Sequence, residues 1–122
     1  YGGPRPQSEP ETAALVNLCE KIDFCHVATF HSQGEIIYWN YGNNTPTKGK
    51  RMAALMSASS GYALEEPTEM ASHGGFKDWF IEKTGRPGFT IEIGRGKNPL
   101  PINELNPIFA RLYETMVLAL VI

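Results

Sequence analysis

The sequence has no excess of charge of either sign: eleven basic side chains face thirteen acidic ones along 122 residues, for a net charge of −2. The two signs are interspersed, so there is no basic footprint for a phosphate backbone or an anionic membrane, and nucleic acid is excluded as an expected partner. Long apolar runs are also missing. The longest, Met116 to Ile122, falls far short of the roughly 20 residues needed to span a bilayer. Cysteine is scarce, and Cys19 and Cys25 lack the C-x-x-C spacing of redox or zinc-ribbon sites. Both are expected to be buried free thiols behaving as small hydrophobes. The three histidines form no H-E-x-x-H pair and no Cys/His quartet, so local spacing shows no self-contained zinc site. Ser57, Ser59 and Ser60 lie outside any nucleophile elbow, which leaves serine hydrolase chemistry unsupported. Tyr1 to Pro6 has neither the charged start nor the apolar middle of a secretory signal. With Tyr rather than Met first, the start is expected to be cut.

What is present suits one compact domain over residues 1–122, since 42% of the residues are apolar and a chain of this size buries roughly two-thirds of its unfolded surface. Ser8 with Glu11 makes a capping-box pattern, followed by Ala14, Leu15, Leu18, Cys19 and Ile22 at helical spacing. Phe24 to Phe30 is almost continuously apolar, as in a strand covered on both faces, and His31 closes it. Glu35 to Trp39 is a second strand candidate, and Met52, Leu55, Met56 and Ser59 give the next helix an inner face that Gly61 terminates. Tyr62 to His73 reads as loop with room for a short edge strand. Gly74 and Gly75 precede a helix carrying Phe76, Trp79 and Phe80. Phe89, Ile91 and Ile93 alternate with Thr90 and Glu92 in a strand from Gly88 to Gly94. The clearest period runs from Leu105 to Leu120, a long amphipathic helix. The predicted fold class is α/β, three-layered, with helices on both faces of a mostly parallel or mixed sheet. Three or four strands are few for that design, so residues outside this chain are expected to complete the sheet.

Two polar residues stand out because ligands of open α/β sheets bind beyond the carboxyl ends of the strands. His31 ends one strand. Glu92 lies near the end of another, between isoleucines, where a carboxylate must be solvated at a rim, paired, or desolvated with a raised pKa. A structural pairing of Glu92 with Arg86 or Arg95 is the plain alternative, as is an ordinary satisfied role for His31. His26 has the opposite parity to His31 and should face the other side of the sheet.

The order of motifs resembles the zinc carboxypeptidase (carboxypeptidase A-like) family over most of the chain. The resemblance begins at Ser8 to Thr12, continues through Thr29-Phe30-His31-Ser32, Tyr38 to Gly42 and Ser60-Gly61-Tyr62, and reaches Gly74-Gly75-Phe76-Lys77-Asp78-Trp79 and Phe89 to Gly94. It implies a partial zinc carboxypeptidase-like fold, the carboxyl-terminal part of a catalytic domain whose missing half precedes it. It further implies that His31 is a zinc ligand and that Glu92 promotes attack by a zinc-bound water. His-Ser-Gln-Gly-Glu and Gly-Gly-Phe-Lys-Asp-Trp-Phe are closest to the bacterial γ-D-glutamyl-diamino acid peptidases, which cut cell-wall peptides. The sequence leaves the compartment open, cytoplasm or cell wall. The residue after Gly74-Gly75-Phe76 aligns with the floor of the family's specificity pocket, so Lys77 is expected either to meet an acidic substrate group or to be a solvated helix residue.

The sequence departs from the family in two respects. The His-x-x-Glu motif that supplies the other zinc ligands, and the Asn-Arg segment that binds the substrate carboxylate, do not occur. The family's mobile tyrosine falls at Met70, and His73 or Tyr62 is a candidate replacement. The expectation is therefore a zinc metallopeptidase that hydrolyses peptide or amide bonds and is inactive as these 122 residues alone. The rival is a non-catalytic binding or structural module with a peptidase-like cleft and no metal. A third reading, an unrelated small α/β ligand-binding domain, would set His31 and Glu92 far apart.

Overall fold

The computed structural model describes residues 3–67 and 74–122. In chain order the elements are α1 (Pro10–Lys21), β1 (Val27–His31), β2 (Ile36–Tyr38), α2 (Thr47–Ser60), β3 (Ala63–Glu65), α3 (Phe76–Thr84), β4 (Gly88–Glu92) and α4 (Leu105–Ala119). Single 3-10 turns lie at Gly42–Asn44 and Ile102–Glu104. The four strands form one sheet in the order β1-β4-β2-β3. β1 runs parallel to β4 and β3 parallel to β2, while β2 and β4 are antiparallel, which makes the sheet mixed.

Strand alternation sorts the side chains between the two faces. Phe89 and Ile91 of β4 and Ile37 of β2 point to one face and form the core with Met52, Ala53 and Met56 of α2 and Leu112 of α4. Gly88, Thr90 and Glu92 point to the other face, where α3 packs. A methyl group on Gly88 would lie 3.1 Å from the Lys77 carbonyl oxygen and 3.3 Å from Ile81 Cγ1. A side chain there would press the helix away from the strand by a few tenths of an ångström, so glycine suits this close approach. Gly61 and Gly85, at φ of 71° and 67°, end α2 and α3 in the left-handed conformation that other residues resist.

Several expectations are corrected. Ser8 does not cap α1: its hydroxyl donates to the neighbouring Glu9 carboxylate at 2.8 Å, and the N-cap is Glu9, with Pro10 opening the helix. α1 turns Val16 inward and leaves Leu15, Leu18 and Ile22 half exposed. β1 starts at Val27 rather than Phe24, because the Phe24 carbonyl is taken by Arg86 Nη1 at 2.7 Å instead of by a neighbouring strand. Nor is β1 covered on both faces; it is an edge strand with Phe30 46% exposed. In α4 the buried residues are Leu112 and Thr115, while Leu105, Phe109, Tyr113 and Val117, and Leu120 just past its end, face outward, so the apolar stripe is wider than the surface the core offers it. Both thiols are free, but Cys19 is only half-buried and Cys25 is exposed.

His26 lies on the core side, in edge contact with Phe89, and its Nδ1 is buried without a partner among the described residues. Burial first, and then the Lys48 charge, hold its pKa below the usual histidine value. The folded state therefore resists protonating His26 while the unfolded chain takes the proton at about pH 6.5. Stability is full above that pH and falls as pH drops from there towards the folded pKa. Urea unfolding of wild type and His26→Phe between pH 7.5 and 5 should show this loss in wild type only; equal slopes would remove His26 as its source.

Candidate active site

The site is assembled by the parallel register of β1 and β4, in which Thr29 stands opposite Thr90 and His31 opposite Glu92. Paired residues of neighbouring strands share a face, so imidazole and carboxylate emerge side by side from two strand tips on the α3 side of the sheet. β2 adds Tyr38, opposite Thr90. A cleft of about 530 Å³ lies over these residues, lined also by Glu65, Glu66 and Pro67 and by Gly74 to Asp78. Its floor is hydroxylic: Thr29 Oγ1 donates to the Phe89 carbonyl at 3.2 Å and lies 3.3 Å from Thr90 Oγ1.

His31 is exposed, and its imidazole makes no hydrogen bond or ion pair among the described residues. Glu92 is half-buried at the cleft rim. The two arginines considered as partners of Glu92 are engaged elsewhere, Arg86 with Asp23 at 2.6 Å and Arg95 with Glu35 at 2.9 Å. The Tyr38 phenol is pushed up, chiefly by burial and further by the Glu65 and Glu92 charges. An imidazole without a competing partner, open to a cleft, is the kind of donor zinc takes. Among the described residues no group of three His, Cys, Asp or Glu side chains converges on one point. Among those residues His31 is the one candidate nitrogen ligand, and a complete site would need others from beyond them.

Lys77 is buried, not solvated, at 3% exposure. It sits in the first turn of α3, ion-paired with Asp78, and its Nζ also donates to the Asn40 carbonyl at 2.7 Å, 5.9 Å from the Tyr41 ring centre. Asp78 Oδ2 in turn accepts from the Gly75 amide at 3.3 Å, tying the glycine pair to the helix start.

Tyr62 is not brought to this cleft. It is buried on the α4 side, beneath the Arg111 guanidinium at 5.0 Å, with its hydroxyl 3.5 Å from the Gly94 amide. Met70 and His73 lie outside the described residues. Sequence reasoning missed Tyr38, Glu65 and Asp78. Alternation within Glu35 to Trp39 puts Tyr38 on one definite face, but only the cross-strand register shows that this face is the one His31 occupies.

The zinc carboxypeptidase family model matches residues 1–115. A γ-D-glutamyl-L-diamino acid endopeptidase 1 from Lysinibacillus sphaericus is 44% identical over 110 residues, which are 89% of this chain and 27% of that protein. The uncharacterized protein YqgT of Bacillus subtilis (strain 168) is 32% identical over 109 residues, 89% of this chain and 29% of its own length. The chain therefore spans under a third of these relatives. Among solved structures, bovine thrombin-activatable fibrinolysis inhibitor in complex with tick carboxypeptidase inhibitor superposes with a TM-score of 0.79 at 20% identity, covering 97% of this chain and 46% of that one. Carboxypeptidase A from Helicoverpa armigera gives 0.77 at 15% identity, covering 97% and 35%. These likenesses carry the three-layer mixed-sheet fold.

The ion pair in the cleft wall makes a direct prediction. Lys77→Met leaves the Asp78 carboxylate buried and uncompensated, so urea unfolding should lose about 3–5 kcal/mol, and Lys77→Met with Asp78→Asn should recover most of it. A single-variant loss below about 1 kcal/mol would mean that water already screens the pair.

Proposed function

The chain belongs to the zinc carboxypeptidase family, and from that premise we propose that it forms the carboxyl-terminal part of the catalytic domain of a zinc-dependent peptidase. The substrate class we infer is bacterial cell-wall peptide, cut at a peptide or γ-glutamyl amide bond. The observation that carries the reading is the pairing of His31 with Glu92 at adjacent strand tips, both open to one cleft.

In this reading His31 is a zinc ligand, the one candidate among the described residues. Bound zinc supplies Lewis acidity to the scissile carbonyl and to the attacking water. Glu92 takes a proton from that water and delivers it to the leaving amine, a role suited to a half-buried carboxylate with no cationic partner among the described residues. The threonine floor and the Tyr38 phenol offer hydrogen bonds that orient the substrate. Lys77 also borders the cleft, but its ammonium is buried, matched by Asp78 and bonded to the Asn40 carbonyl, so in this reading it holds the cleft wall in place rather than attracting an acidic substrate group. The cell-wall substrate class rests on the 44% identity to the L. sphaericus protein named as a γ-D-glutamyl-L-diamino acid endopeptidase.

Two observations support incompleteness of the 122 residues as an enzyme. The described residues offer one candidate imidazole, which does not hold zinc as a three-ligand site does. β1 also leaves its outer edge unpaired among the described residues, with Phe30 beside it, which suits a sheet continued by the rest of a longer chain.

Metal content and turnover of the full-length protein test this. Wild type should carry about one zinc, His31→Ala should lose it, and Glu92→Gln should keep it while turnover of a γ-glutamyl-diamino acid peptide falls at least 100-fold, within the roughly 10²–10⁴ range for a general base. A metal-free wild type would instead favour the non-catalytic module. Near-normal turnover by Glu92→Gln would remove that residue's assigned role.

A further inference from the structure

The four residues between β1 and β2 do not form a hairpin. β4 lies between those two strands, so Ser32 to Glu35 must cross over its end. The crossing is fastened by main-chain bonds: the Ile93 amide donates to the His31 carbonyl at 2.8 Å, and the Gly34 amide to the Gly94 carbonyl at 2.8 Å. At its far end stands Glu35, with φ of +56°. That conformation costs a side-chain-bearing residue about 1–2 kcal/mol, and glycine would adopt it freely. A carboxylate in such a place has to be held by its side chain.

That side chain is held on both oxygens. Arg111 Nη1, from α4, donates to Oε1 at 2.7 Å, and Arg95 Nε, from the loop after β4, donates to Oε2 at 2.9 Å, with the Glu35 side chain 13% exposed. Arg111 is itself fixed, since its Nε donates to the Ser60 carbonyl at 2.7 Å and its guanidinium covers the Tyr62 ring. The Glu35 carbonyl accepts the Ala63 amide at 3.0 Å, the bond that starts β3. One residue thereby joins the crossing, the segment after Glu92, the end of α2 and the middle of α4. None of these contacts enters the cleft.

We propose that Glu35 is a positioning residue: clamped by Arg95 and Arg111, it locks the crossing over β4 and so fixes His31 relative to Glu92. The proposal rests on the reading of that pair as the reactive one. Glu35 touches neither substrate nor metal and acts through the strand tips. Charge-assisted bonds to two arginines hold the turn where a solvated glutamate would let it swing, and groups that orient a metal ligand change affinity by about 10–100-fold when removed.

The test uses full-length protein with Glu35→Ala, Glu35→Gln and Arg95→Met. The last alters a side chain that is 75% exposed, so folding should be the least disturbed in it. Arg86→Met, which cuts the ion pair near the opposite end of β1, is the control. Hydrogen–deuterium exchange read on peptides spanning residues 30–36 and 91–95 should quicken at least about tenfold in Glu35→Ala, less in Glu35→Gln and Arg95→Met, and not in the control. Zinc affinity by chelator competition should fall about 10–100-fold in the same order, with kcat reduced and KM changed less than about twofold. Wild-type exchange and affinity in Glu35→Ala overturns the proposal, as does quickening spread evenly over all peptides, the mark of a merely structural loss. A wild type without zinc would sink the peptidase reading instead, and the exchange comparison would then decide the role of Glu35 by itself.

Discussion

Parallel pairing of β1 with β4, in the register that sets His31 against Glu92, is the constraint on which the rest of the molecule depends. Side chains alternate strictly along a strand, so a slip of one residue in β1 would carry His31 to the core side and bring Phe30 into the cleft. Burial guards against that. Phe89 and Ile91 are enclosed by α2 and α4, which pins the facing of β4, and Gly88 admits α3 so closely that the helix fixes the strand from its other side. Cleft wall, cleft floor and core are three consequences of one register.

Local chemistry made much of this legible. Gly61 after the Met52 and Met56 period marks the end of α2, and the alternation from Phe89 to Ile93 marks β4 and the side Glu92 takes; in both, the deciding physics lies within a few residues. The misreadings share a cause as well. Phe24 looks like strand, but its carbonyl belongs to an arginine some sixty residues away in sequence. Leu105, Phe109 and Tyr113 look like core, but α4 has no neighbour on that side among the described residues. Tyr62 sits in a segment matched to the family motif, yet its hydroxyl reaches Gly94 beneath Arg111, on the far side of the sheet. Glu35 left no local trace because both its partners come from beyond Glu92 in the sequence.

Charge is handled differently on the two faces. Beside the cleft, Lys77 and Asp78 are both almost wholly buried and neutralise each other while fastening Asn40 and Gly75 to α3. Such a pair is weak evidence of net stability, since desolvation offsets most of the attraction, but it fixes geometry because neither partner can be left alone. On the other face, one carboxylate is shared between two arginines, each more exposed than the glutamate they hold. Between the two clusters, Glu92 is left without a cation among the described residues.

The pairing of β1 with β4 also ties the cleft to the timing of folding. Thr29 and Thr90, which meet across it, are separated by 61 positions in the chain. Closing a loop of that length costs roughly 2 kcal/mol more chain entropy than closing a tight hairpin, and that penalty falls due before any contact within the cleft can offset it. Early, locally ordered forms such as α2 with its glycine stop therefore carry no trace of the site, and the imidazole and carboxylate become neighbours only when long-range order sets in.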